Sequence, residues 1–417
     1  MFDGDSDASL VIALIGGSHF VNHTYFMLLP PIFGPLQSEL GLTDPQLGLA
    51  LGTVGLVVTA LQLPFGHLSD TYGRTPVLAI SLTFGALGAA LIATASSFAW
   101  LLAGAVVTGV GIAGHHPAHY PLISSVTDAS TRGRAYSVHG FTGTIGFAAP
   151  PAAVGAALAF GVDWRLAIGA FAVLGALYGA VCLLTFHRYV DRSITHPGAA
   201  DDEASSGGTR LQRLAAGVRS VLGSPPILAL TALWFASSMA AWGIKQYTAP
   251  MLAGLYGLSA GSANIAVSAM LGTGAVLIFG GGWLTDRYTP GLVLLVGYVA
   301  LVAVAGVLAV GVLPTALAVG LVLFLSATID ASRPARAALA DRFSSSATAG
   351  KNFGLLTIGI SGGSAVAPPV LGVVVQRYGL EVAFLAVAAI GLLAIALTAV
   401  VLRLDAGEPS ATPSPSD

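Results

Sequence analysis

Three histidines interrupt an otherwise apolar stretch of the chain, at His115, His116 and His119. Imidazole nitrogens can carry a proton near neutral pH, contact a substrate or bind a metal ion. Residues three or four positions apart share a helical face, so pairs of these rings can act together. Inside a membrane a polar side chain is costly, about 2.5–3.5 kcal/mol for a central Arg or Asp. We therefore interpret this stretch as functional.

The second half of the chain repeats the pattern with different chemistry. Arg333 and Arg336 have the spacing of His116 and His119, and they follow them by 217 residues. A proline lies between the two polar positions in both halves. The chain is therefore predicted to consist of two related halves with a polar stretch at the same place in each.

Few other titratable groups are expected inside apolar segments. Lys245, Arg333 and Arg336 are the basic ones, and Asp330 is the acidic one, so three cations against one anion leave a charge of +2. We expect Asp330 to pair with Arg333. The remaining positive charge favours an anionic or phosphonate-like substrate, because Arg can bind such groups with two parallel hydrogen bonds. The candidate substrate contacts are Arg336, Arg333, Lys245, Gln246, Tyr247, His116, His119, Tyr25 and Asn22. The candidate proton carriers are His19, His23, His115, His139 and Asp330.

Each group also has a plainer interpretation. The histidines could be hydrogen-bonded packing residues or metal ligands, although no cysteine or acid completes a metal shell. Asp330 and Arg333 could form only a structural ion pair, and Lys245 could extend toward a membrane interface. We expect no metal and no cofactor.

The composition explains where these groups lie. The chain has 417 residues, 55% of them hydrophobic and 9% charged, whereas soluble domains have about 25% charged residues. This predicts an all-α membrane protein, and a net charge of −2 gives no support for nucleic-acid binding. Apolar segments of about 20 residues mark membrane spans. Twelve are predicted, at about 9–36, 43–69, 75–96, 98–127, 132–159, 163–187, 225–254, 259–285, 290–310, 313–342, 350–376 and 380–403.

These spans divide the chain into five parts. They are a disordered N-terminus (1–8), a six-helix bundle (9–187), a polar linker (188–224), a second six-helix bundle (225–403) and a disordered tail (404–417). Lys and Arg concentrate on the side of the linker, whereas the opposite side has only Arg165 and Arg377. Basic residues mark the cytoplasmic side, so we expect a plasma-membrane protein with both termini in the cytoplasm. Paired prolines at 30–31, 150–151 and 368–369 should kink spans 1, 5 and 11.

A motif follows span 2 and recurs after span 8. Residues 66–74 read G-H-L-S-D-T-Y-G-R and residues 282–288 read G-W-L-T-D-R-Y. This resembles the G-x-L-x-D-x-x-G-R signature of the major facilitator superfamily. The resemblance implies two six-helix bundles, transport by alternating access, no enzymatic activity and a monomer. It also implies that Asp70 faces the start of span 11 and Asp286 the start of span 5, closing the cytoplasmic side. The implied gating residues are Asp70, Gly66, Gly73, Arg74, Asp286, Arg134 and Lys351.

A narrower resemblance lies in spans 1 and 4. Residues 18–23, S-H-F-V-N-H, together with His116-Pro117, look like the fosmidomycin-resistance branch of that superfamily. His23 occupies the position at which the branch usually has an aspartate. The resemblance implies a drug exporter that exchanges a small molecule for protons. The alternatives are an importer of an organic or inorganic anion, a His-box membrane oxygenase with two metal ions, and a sensor that does not transport.

Overall fold

The computed structural model describes residues 6–128, 131–196, 224–344 and 349–407, which are helical apart from short connections and contain no strand. Helices suit a lipid environment because they satisfy every backbone hydrogen bond within one segment. In the first half, span 1 comprises Ser6–Phe26, a 3-10 turn at Pro30–Ile32 and Phe33–Leu40; span 2 is Asp44–Tyr72; span 3 is Arg74–Ala93; span 4 comprises Phe98–Ala113 and His115–Ser125; span 5 is Arg132–Ala159; and span 6 is Trp164–Tyr189, followed by a short helix at Arg192–Thr195.

The second half has the same organisation. Span 7 is Pro225–Tyr256, span 8 is Ala260–Arg287, span 9 is Pro290–Ala309, and span 10 comprises Thr315–Leu325, Ala327–Asp330 and Arg333–Arg342. Spans 11 and 12 share the helical stretch Ala349–Gly407, which Gly379 breaks with a φ of +89°. Within the described ranges, ten helices are long and apolar enough to cross a membrane. The break at Gly379 makes two spans of one of them, and span 1 brings the number to twelve, so the predicted fold class is confirmed.

Some predicted segments lie partly outside the described residues. These are the linker at 197–223, the tail at 408–417 and the N-terminus at 1–5. The first helix begins at Ser6, and the last helix ends at Gly407.

Spans 4 and 10 are discontinuous at the polar stretches. Span 4 is interrupted at Gly114, one residue before the first histidine of the stretch. Span 10 is interrupted at Ser326 and again at Ala331–Ser332, directly before Arg333. Broken helices at matching positions of two repeats are a typical feature of transporter binding sites.

The paired prolines have different consequences in the three spans. Pro30-Pro31 lie in the 3-10 turn that breaks span 1, whereas Pro150-Pro151 and Pro368-Pro369 lie inside continuous helices. A proline has no N–H for the carbonyl four residues earlier. In span 5 the carbonyl of Gly146 instead accepts a hydrogen bond from the Thr24 hydroxyl at 3.2 Å. The prolines therefore free a carbonyl that connects span 5 to span 1.

The two halves meet at the end away from the linker. Gly52 of span 2 lies so close to span 11 that a Cβ at this position would be 2.7 Å from the Ala365 carbonyl oxygen. Gly155 of span 5 and Gly261 of span 8 approach each other in the same way. At the linker end, Asp70 and Asp286 are exposed. We interpret the described state as closed away from the linker and open toward it.

Candidate functional site

Two groups of side chains lie near the breaks in spans 4 and 10. The first, called the histidine cluster below, belongs to the first half and consists of His19, His23, His115, His116, His119 and His139. The second, called the cationic pocket, belongs to the second half and consists of Lys245, Asp330, Arg333 and Arg336.

The histidine cluster is stacked around His19 of span 1. The His19 ring lies 4.5 Å from that of His115 in span 4 and 3.7 Å from that of His139 in span 5, measured between centroids. All three side chains are buried. Gly143 makes this approach possible, because a Cβ there would lie 2.7 Å from His19 Nδ1. Histidines from three spans thus form one contact network.

Two histidines of span 1 are held by backbone carbonyls of span 5. His19 Nδ1 lies 2.5 Å from the His139 carbonyl oxygen, and His23 Nδ1 lies 2.9 Å from that of Gly143. Carbonyl oxygens only accept, so both Nδ1 atoms donate. The two Nε2 atoms then face each other at 2.9 Å.

The other histidines have different surroundings. His119 Nε2 lies 2.9 Å from the Ser18 hydroxyl, and its Nδ1 lies 3.2 Å from His139 Nε2. His116 stacks on Tyr120 with ring centroids 5.0 Å apart. Neither ring nitrogen of His115 has a hydrogen-bond partner in the described part of the chain, although the residue is fully buried. A buried imidazole without partners is costly, which argues against packing as its only role.

The cluster has the spacing of a possible cation site. Ring nitrogens of His19, His115, His116 and His139 lie within 4.8 Å of one another. Across the described ranges, no carboxylate or thiol joins this group. A divalent metal ion held there would keep its charge uncompensated in a buried site, which is unfavourable.

The cationic pocket contains an ion pair between Asp330 and Arg333, as expected. Arg333 Nη2 lies 3.0 Å from Asp330 Oδ1, and the Ser326 hydroxyl donates to Oδ2 at 2.5 Å. The Asp330 side chain is 5% exposed, whereas that of Arg333 is 41% exposed. Arg333 therefore retains an accessible guanidinium surface.

Lys245 is buried against aromatic rings. It is 7% exposed, and its Nζ lies 4.1 Å from the Phe147 ring centroid and 5.1 Å from that of Trp242. The Phe147 ring also contacts His23, with 4.4 Å between the two ring centroids. Phe147 thus joins the histidine cluster to the cationic pocket, and this burial does not fit the interpretation of Lys245 as a residue that extends to the interface.

Arg336 lies deeper in the second half than expected. It is 8% exposed, and its Nη1 donates to the Tyr298 hydroxyl at 3.0 Å and contacts the Ser332 hydroxyl at 3.3 Å. Tyr298 in turn bonds to Ser237 of span 7. The expected principal anion contact is therefore a buried residue between spans 7, 9 and 10, and Arg333 is the more accessible arginine.

Two candidates of span 1 are not brought to the site. Asn22 lies 3.4 Å from the Ser81 hydroxyl of span 3, and Tyr25 packs against Gly85 and Gly175 of spans 3 and 6. A helix turns by about 100° per residue, so these positions face the interior of the first half while His19 and His23 face span 5.

Some residues near Lys245 were candidates from the sequence, and others were not. Gln246 and Tyr247 are buried, and their side-chain polar atoms have no partner among the described residues. The rings of Phe147 and Trp242 contact Lys245, and the Phe26 ring packs on Trp242 with 4.7 Å between their centroids. Single aromatic rings in apolar spans have no distinctive pattern, so the sequence did not indicate them.

The signature at residues 66–74, which the structure places at the end of span 2 and the start of span 3, contacts its own half. The Ser69 hydroxyl donates to the Pro117 carbonyl at 2.9 Å, which Pro121 leaves without a helical partner. Gly73 has a φ of +97° between spans 2 and 3, and Arg74 donates to the carbonyl of Ile194 in the helix after span 6.

Three of the charged gating candidates are exposed in this state. They are Asp70, Asp286 and Arg134, and the Lys351 side chain lies outside the described residues. The expected contacts of Asp70 with span 11 and of Asp286 with span 5 require the linker end to be closed, and we interpret it as open here.

Comparisons with known proteins agree with this architecture. A sequence model of the Major Facilitator Superfamily matches residues 15–332 and 252–417. The fosmidomycin resistance protein of Escherichia coli (strain K12) is 28% identical over 179 residues, 43% of each chain. The bacillibactin exporter of Bacillus subtilis (strain 168) is 35% identical over 105 residues, 24% of this chain and 26% of the relative. The matched regions thus span less than half the length of these curated relatives.

A solved structure is similar over nearly the whole chain. It is a bacterial homologue of the human lysosomal transporter Spinster in an inward-facing and unoccupied conformation. The TM-score is 0.79 at 18% identity, with 98% of this chain and 100% of that chain covered. At this identity the likeness concerns the fold.

Proposed function

This chain belongs to the Major Facilitator Superfamily, a family of multi-pass membrane transporters that are not enzymes, and on that premise we propose that it exports a small anionic or phosphonate-like solute in exchange for protons. The space between the halves holds the solute, and rocking of the halves exposes it to each side in turn. We further propose a monomer in the plasma membrane with the linker and both termini in the cytoplasm.

One observation carries the proposed sign of the substrate. Lys245 is buried, and no carboxylate lies within ion-pair distance of it in the described ranges. Asp330 compensates Arg333 but leaves that guanidinium half-exposed. A site with surplus positive charge at low dielectric attracts an anion and rejects a cation. Lys245 and Arg333 are therefore the proposed anion contacts.

The proposed direction rests on two relatives. One is a drug-resistance protein by name, and the other is an exporter. The basic residues beside the linker support its placement in the cytoplasm, and the described state would then open toward the compartment from which a drug or metabolite is expelled.

Import of an anion together with protons is a second candidate, favoured because the histidine cluster and the cationic pocket lie close together. His23 and Lys245 contact the same ring, that of Phe147. An anion in the cationic pocket would stabilise a protonated imidazole nearby, so that anion and proton bind together. Ligands that bind together suit transport in one direction.

Flux measurements with purified protein in vesicles distinguish these candidates. Matched anionic, neutral and cationic compounds would be tested under a pH gradient imposed in either direction. Exchange predicts that the anion accumulates in the acidic compartment, whereas co-transport predicts that it accumulates in the alkaline one. Preferential movement of the cationic compound would contradict both.

A further inference from the structure

We propose that His19 and His23 share one excess proton between their Nε2 atoms in the described state. This rests on the proposed coupling to protons and assigns a site to it. Asp, Glu and His side chains carry protons inside membranes, and span 1 has no carboxylate at this position. A pair of imidazoles can do the same chemistry because one ring donates and the other accepts.

The hydrogen bonds of the two Nδ1 atoms carry the argument. His19 Nδ1 and His23 Nδ1 both donate to carbonyl oxygens, those of His139 and Gly143. A neutral imidazole has one N–H, so each ring would present a bare Nε2 lone pair to the other. The two Nε2 atoms are 2.9 Å apart, at hydrogen-bond distance. One added proton replaces this repulsion with a charge-assisted N–H···N hydrogen bond.

The neighbouring histidine pair needs no such proton. The Ser18 hydroxyl can donate to His119 Nε2 at 2.9 Å, and His119 Nδ1–H can donate to His139 Nε2 at 3.2 Å. Both rings can be neutral in this series of hydrogen bonds, because each donor then faces an acceptor and the hydroxyl can do either. The requirement for an extra proton is therefore specific to His19 and His23.

Surrounding groups couple this proton to an anion. From span 4 the pair faces His115, His116 and His119, and from span 5 it faces His139. Lys245 of span 7 contacts the same Phe147 ring as His23, and Arg333 is the accessible cation of the cationic pocket. These two cations repel the shared proton, and an anion bound between them reduces the repulsion. Occupancy of the cationic pocket should therefore favour retention of the proton, which is the behaviour that the second candidate, co-transport, requires.

Nuclear magnetic resonance of protein labelled with ¹⁵N in its histidines tests the proposal. The chain has nine histidines, so the spectrum is simple enough to assign by substitution. In protein treated with a chelator, we expect one strongly deshielded proton coupled to two different Nε2 nitrogens. The wild-type spectrum is sufficient for this test. If all six rings in the cluster are neutral, each with one unprotonated nitrogen, the proposal is wrong.

Variants locate the signal and separate it from transport. His23→Gln should abolish the shared-proton signal, whereas the matched change His116→Gln, in the same cluster but outside the pair, should retain it. Lys245→Met should greatly reduce anion transport and keep the signal. Presence of the signal in wild-type protein that moves no anion would leave this inference standing and the proposed function wrong. Persistence of the signal in His23→Gln would show that another pair carries the proton.

Discussion

Lys245→Met removes the buried positive charge while leaving no partner unpaired. An ammonium and an anion 4 Å apart attract by about 4 kcal/mol at an effective dielectric constant of about 20. To contact the anion, the ammonium must leave the faces of Phe147 and Trp242. The lost cation–π interaction costs about 2 kcal/mol when desolvated, which reduces the gain from the attraction to the anion. The net loss is about 2 kcal/mol, which weakens anion binding about 30-fold.

Equilibrium binding of matched anionic, neutral and cationic compounds to purified protein measures this loss. Met has a similar unbranched shape and fills the same space, so thermal stability should change little. Arg377→Gln is the control, because it removes an exposed cation outside the cationic pocket. Anion binding by Lys245→Met at wild-type strength, or a wild-type preference for the cationic compound, would refute the assignment of Lys245.

Three further changes test other parts of the structure. Arg333→Ala removes the ion-pair partner of the buried Asp330 carboxylate, which keeps its bond from Ser326, and should lower stability by about 1–3 kcal/mol. The double change Arg333→Ala with Asp330→Asn should restore most of the loss in a thermal melt, and no restoration would contradict the ion pair. Gly143→Ala places a Cβ 2.7 Å from His19 Nδ1 and should destabilise by about 1–3 kcal/mol, whereas Gly140→Ala, with nothing within 4 Å, should be neutral; equal melting of both would refute the close packing. Asp70→Asn should weaken closure of the linker end by removing a charge–dipole contact, so cysteines placed at the linker ends of spans 4 and 10 should react faster; unchanged reactivity and transport would exclude a gating role for Asp70.

Much of the fold could be predicted because lipid imposes a simple length rule. The twelve spans follow from their apolar length, whereas the paired prolines predict kinks in spans 1, 5 and 11 and did not indicate the breaks in spans 4 and 10. The direction in which each side chain points could not be predicted for Arg336 and Tyr25. An apolar helix has no contrast between a wet face and a dry face, so the sequence does not show its rotation.

The contacts between spans were also beyond the sequence. Spacing within span 4 indicates that His115 and His119 can share a face, but it does not show that His19 and His139 stack from other spans. Arg333 and Arg336 lie three positions apart in one helix, Arg333–Arg342, so their side chains leave it in directions about 60° apart. Spacing along span 10 does not show that this rotation turns Arg336 toward Tyr298 of span 9. Both contacts depend on how separate spans pack together.

The central claim is that this transporter carries anions through a positively charged site that includes Lys245. Its most direct test is the current produced when matched anionic and cationic compounds are applied rapidly to vesicles containing wild type or Lys245→Met. We predict a transport current with the anionic compound in wild type, a greatly reduced one in Lys245→Met, and none with the cationic compound. A current driven by the cationic compound in wild type would contradict the claim.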